Sequence, residues 1–108
     1  MQSDPHDIYE RLVNLGGQWA DAHAAAELLE ETKKTLLAEL MTECDEKSSV
    51  AKETYALRQK RYFDHVEEMV MARKAANRAK VRYDAAKVEV DMERTKAANE
   101  RAALRVAP

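Results

Sequence analysis

Three histidines, one cysteine and three serines are the side chains that could serve as base, ligand or nucleophile in this chain. His6, His23 and His65 are scattered, and none belongs to an HExxH pair or to the two ExxH motifs that a di-iron helical bundle needs. His65 and Glu68 are three residues apart on one helical face, a spacing that usually marks a solvated pair rather than a ligand set. Cys44 stands among Glu43, Asp45 and Glu46, whose negative charge opposes the thiolate that a nucleophile requires. Ser3, Ser48 and Ser49 fall at a terminus or at helix-cap positions. With no glycine-rich phosphate loop and no convergent acid–base set, the sequence argues against an enzyme and calls for no metal or cofactor.

Cations are the residues that recur with a period. Arg73, Lys80, Lys87, Arg94 and Arg101 repeat every seven residues, and Lys74, Arg78 and Arg82 repeat every four. Lysine and arginine lined up along a helix can displace counterions from the phosphates of a polyanion, with an affinity that falls steeply as salt rises. Like charges four apart repel by a few tenths of a kcal/mol, so the second stripe gains nothing from its own helix. The first stripe has two readings: a phosphate track, or partners for acids such as Glu27, Glu30 and Glu39 on a facing helix. Tyr55, Tyr62 and Phe63 lie near Lys60 and Arg61, and rings beside bases stack on unpaired nucleobases for about 1–3 kcal/mol each. Tyr62 shares a heptad line with Met69, which leaves Phe63 as the freer ring. The candidate nucleic-acid contacts are therefore Lys60, Arg61, Phe63, Arg73, Lys74, Arg78, Lys80, Arg82 and Lys87.

Helices must position these residues. Two glycines and two prolines in 108 residues are too few for the turns of a sandwich, barrel or Rossmann unit, while nineteen alanines and 35% charged residues suit long, surface-rich helices. Asp4 as N-cap and Pro5 at the first helical position start a first arm over about residues 5–43. Its apolar seam runs Ile8, Leu12, Leu15, Trp19, Ala22, Ala26, Leu29, then Lys33, then Leu36 and Leu40, in alternating steps of four and three. Gly16-Gly17 predicts a kink or break near Leu15, because each glycine costs about 1 kcal/mol relative to alanine in a helix. A polar turn at about 44–49 follows, with Ser48 or Ser49 as the next cap. The second arm, about residues 50–105, carries the seam Met69, Ala72, Ala76, Ala79, Tyr83, Ala86, Val90 and reaches Ala97 and Leu104 at heptad spacing. Unbroken, it would be roughly 85 Å long against roughly 60 Å for the first arm. It must either bend near Leu57–Tyr62 or project past its partner. The expectation is an all-α, single-domain antiparallel hairpin with coiled-coil-like packing, spanning residues 1–108.

A second apolar line, Val81, Ala85, Val88 and Met92, has the same spacing on another face, matched by Val13, Ala20, Ala24 and Leu28 on the back of the first arm. A hairpin cannot cover both faces. This predicts a homo-oligomer with Val81, Ala85, Val88 and Met92 at the interface. The total charge of −2 conceals a polar molecule: residues 1–50 hold eleven acids and four bases, and residues 51–108 hold nine acids and fourteen bases. No apolar run approaches the roughly 18 residues of a membrane span. A lone cysteine and an amino end without a signal-peptide pattern predict an intracellular, cytoplasmic protein.

Two segments, LGGQWADAHAAAELLEETKKTLLAELM and YFDHVEEMVMARKAANRAKVRYDAAKVEVDMERTKAANERAA, separated by a polar turn, resemble small helical proteins of bacteriophage recombination loci and, more distantly, the UvsY recombination mediator family. The resemblance implies a non-enzymatic oligomer that binds single-stranded DNA and helps to load a recombinase while handling a single-strand binding protein. Where the mediator carries DNA-contacting cations near the end of its first long helical segment, this chain has Glu39, Glu43, Asp45 and Glu46. Contact would therefore move to Lys60, Arg61 and the Lys74–Arg78–Arg82 face. Two other functions fit the same helices: a protein-only adaptor or inhibitor, and a structural coiled-coil subunit.

Overall fold

The computed structural model describes residues 4–106, so Ser3 lies outside the described residues. The chain is an extended helical hairpin of 88 × 20 × 15 Å. Helix α1 (Pro5–Thr42) opens as its sequence dictates: Asp4 has extended backbone, its side chain accepts from the His6 amide at 3.0 Å, and Pro5 occupies the first turn. It ends at Thr42, where the Glu43 amide still donates to the Glu39 carbonyl at 3.2 Å. After a short connection, Ser48 caps α2 (Ser49–Leu57) by accepting from the Ala51 amide at 3.1 Å. Helix α3 (Lys60–Val106) then returns along α1.

The second arm is broken, between α2 and α3, with no glycine or proline at the break. Arg58 and Gln59 donate backbone bonds to the carbonyls of Tyr55 and Ala56, three residues back, which tightens the last turn and ends α2. Gln59 serves both sides of the joint. Its side-chain amide donates to the Tyr55 carbonyl at 3.1 Å, and its own carbonyl accepts from the amides of Tyr62 and Phe63.

The two seams face each other as their spacing predicts. Every seam position of α1 from Ile8 to Leu40 is buried or half-buried, as are those of α3 from Met69 to Val90. Five of the eight buried residues are alanines, Ala26, Ala56, Ala76, Ala79 and Ala86, so the core is thin and the backbones can approach closely. Two expectations are corrected. Helix α1 runs through Gly16-Gly17 without a break, and neither glycine has positive φ. A Cβ at Gly16 would stand 3.0 Å from Cε1 of Tyr83, so the missing side chain makes room for a ring on the opposite arm. The seam also stops short of Leu104, which is 76% exposed. Tyr9 meets Arg94, Arg11 meets Glu89, Glu30 meets Arg73 and Glu43 meets Arg61, so α1 begins opposite about residue 98. The last eight residues of α3 project about 12 Å beyond it.

Candidate nucleic-acid interface

The hairpin divides the candidate cations into those tied to its own carboxylates and those turned outward. Arg73 is the most committed. Its Nε and Nη2 donate to the two carboxylate oxygens of Glu30 at 2.8 and 3.0 Å, and its Nη1 donates to His23 Nδ1 at 3.1 Å. The bonds between Arg73 and Glu30 raise the Arg73 pKa above its ordinary value and hold the Glu30 carboxyl below its own ordinary value. Arg61 bonds Glu43 at 3.1 Å and lies 4.0 Å from Glu39, bracing the turn. Lys87 pairs with Asp84 at 3.0 Å, which raises its pKa, and sits 4.7 Å over the Tyr83 ring. Arg94 donates to the Tyr9 hydroxyl at 3.2 Å. Three of the nine sequence candidates, Arg61, Arg73 and Lys87, are thus engaged within the hairpin.

Lys60, Lys74, Arg78, Lys80 and Arg82 are exposed, and none lies within ion-pair distance of a carboxylate among the described residues. Phe63 is 64% exposed, as its place off the Met69 line predicts, whereas Tyr62 is half-buried in the seam. Lys60 and the Lys74–Arg78–Arg82 trio do not form one track. A groove bounded by Leu29, Asp64, Glu67, Glu68 and Met71 intervenes, and its acids break the run of positive charge. Lys80 points to the Arg73–Lys87 flank, about a third of a turn from Lys74 and nearly half a turn from Arg82. The contiguous outward cluster is therefore Lys74, Arg78 and Arg82. It shares an outward line with Val81, Ala85, Val88 and Met92, all exposed, because 74, 78, 81, 85, 88 and 92 follow one another in steps of four and three.

The histidines are used within the hairpin. His65 turns to α1 rather than to Glu68: its Nε2 donates to the Leu29 carbonyl at 2.7 Å and lies 3.4 Å from Thr32 Oγ1. His23 accepts from Arg73 through Nδ1 and donates from Nε2 to Glu27 at 2.9 Å, which fixes the neutral Nε2–H tautomer. Its ring stacks on Trp19 (5.4 Å between centroids), and Trp19 stacks on Tyr83 (5.9 Å). The result is a column from Lys87 through Tyr83, Trp19 and His23 to Arg73. The sequence marks Trp19 and Tyr83 as seam residues but not as stacked partners, because stacking depends on the inter-arm register. Among the described residues, no group of three or more His, Cys, Asp or Glu side chains is placed to hold a metal ion. Among the described residues, no helix is long and apolar enough to cross a membrane. No protein-family model, curated protein or solved structure matches the chain.

Proposed function

We propose that this chain is a non-enzymatic, self-associating accessory protein that binds single-stranded DNA through the outer side of α3. The reading rests on one observation. Arg61, Arg73 and Lys87 are each tied to a carboxylate, while Lys74, Arg78 and Arg82 form an outward cluster without one among the described residues. Three adjacent cations without carboxylates repel one another, and a phosphate backbone relieves that repulsion by releasing counterions. Met71, exposed on α3, offers apolar surface beside it for unpaired bases, and Phe63 stands about 16 Å away across the acidic groove. Three phosphates per copy give weak binding alone, so useful affinity comes from several copies on one strand. The resemblance to recombination mediators supplies the role, delivery of a recombinase onto strands held by a single-strand binding protein.

The test is fluorescence anisotropy with a labelled single-stranded oligonucleotide. For three contacts per copy, the logarithm of affinity should fall against the logarithm of salt with a slope of about −2. Changing Lys74, Arg78 and Arg82 together to Glu should remove binding and leave helicity unchanged, while Lys34→Glu on α1 should leave binding intact. Unchanged binding by the triple variant would sink this face. No binding by the natural chain would favour a protein-only adaptor, to which the apolar half of the same outward line is suited.

A further inference from the structure

The two outward sides of the hairpin differ in shape and in charge. Away from the seam, α1 presents Val13, Gly17, Ala20, Ala24 and Leu28 in steps of four and three, with Val13 72% and Leu28 61% exposed. The middle of that line is small, and a Cβ added at Gly17 would meet nothing within 4 Å. Asp21, Glu27 and Glu31 border it. The back of α3 is the reverse, with Val81, Val88 and Met92 standing out at 69%, 57% and 68% exposure and Arg78 and Arg82 at one end. Helix α1 carries seven acids and three bases, and α3 carries twelve bases and eight acids.

We propose that a second copy of this chain covers both faces, the back of α1 in one copy packing on the back of α3 in the next. Charge selects this pairing over its symmetric rivals. A two-fold contact between α3 helices would join two basic arms, and one between α1 helices would join two acidic arms, whereas the crossed contact joins opposite signs. Shape agrees, since Gly17, Ala20 and Ala24 leave space for Val81, Val88 and Met92. When neighbouring copies share one orientation, α1 and α3 meet antiparallel, as they do inside the hairpin. A slide of about 9 Å from the hairpin's own register sets Glu31 and Glu27 of one copy beside Arg78 and Arg82 of the next. Because the two faces lie on opposite sides of the molecule, each copy always leaves one open, and assembly proceeds to a ring or an open stack rather than stopping at a dimer.

This inference rests on the self-association half of the proposed function, and it makes DNA and a neighbouring copy rivals for Arg78 and Arg82. The two are separated by running sedimentation velocity without nucleic acid and by measuring oligonucleotide binding on a variant that stays monomeric. One variant, Val81→Asp with Val88→Asp, spoils the α3 face; the other, Ala20→Asp with Ala24→Asp, spoils the α1 face. All four positions are exposed, and unchanged circular dichroism verifies folding. The natural chain should form assemblies larger than dimers, each variant alone should be monomeric, and their equimolar mixture should give a heterodimer and nothing larger. A monomeric natural chain at high micromolar concentration overturns the proposal, as does self-association by either variant alone. If the aspartates disturb folding, Glu27→Lys with Glu31→Lys should dissociate the assembly, and adding Arg78→Glu with Arg82→Glu should restore it. Failure of restoration overturns the crossed pairing.

Discussion

A methyl group added at Gly16 would stand 3.0 Å from Cε1 of Tyr83, while one added at Gly17 would meet nothing within 4 Å. The Tyr83 ring is held between Trp19 and Lys87, so it cannot slide aside freely. Gly17→Ala should therefore gain the ordinary helix advantage of about 0.5–1 kcal/mol, worth about 4–8 °C in Tm per kcal/mol for a domain of this size. Gly16→Ala should lower Tm instead, and thermal unfolding of dilute protein decides between the two. At Glu30 the prediction concerns pH. The Arg73 bonds depress its carboxyl in the folded state, so the pair stabilises the hairpin above the ordinary value of 4.5, and that contribution is lost as pH falls through the folded value. Glu30→Gln should be less stable than the natural chain near neutral pH and equal to it in strong acid, as measured by urea denaturation at both. The sequence offers Glu30 among three acids facing the Arg73 stripe and reads the glycines as a kink or break. Only the inter-arm register shows which acid is met and which ring fills the gap.

Both long helices were legible as elements, because their apolar positions keep one period over many turns and Asp4-Pro5 and Ser48 are strong start signals. The joint between α2 and α3 was legible only as a need of length. Arg58-Gln59 contains no breaker, and the chain turns there because Gln59 can satisfy backbone groups on both sides. Ser48 carries more weight in this arrangement than a cap on a long helix would. Helix α2 has nine residues, too few to persist by propensity, and leans on its cap and its packing on α1. Ser48→Ala should cost about 1 kcal/mol and show itself locally. Amide hydrogen exchange should rise across residues 49–57 while α1 and the paired part of α3 keep their protection. A uniform rise over all three helices would show α2 to be an integral part of a single cooperative unit.

The radius of gyration is 24.1 Å, against about 13 Å for a compact domain of this length, so stability comes from one seam repeated along a rod. The projecting end of α3 takes little part in it. Ending the chain after Ala97 should leave Tm nearly unchanged, because Leu104 and its neighbours from 98 to 106 are all exposed. The outward cations were legible as spacing, but their separation from the tied ones was not, since ion pairing across the arms is set by register and not by period. That projecting end has a further consequence. A solitary helical segment of about eight residues is marginal in water, so in dilute solution it should fray and wind up only when a neighbour lies beside it. Ellipticity at the helix band should then grow as the protein is concentrated, and one terminus of the molecule would act as its own gauge of crowding.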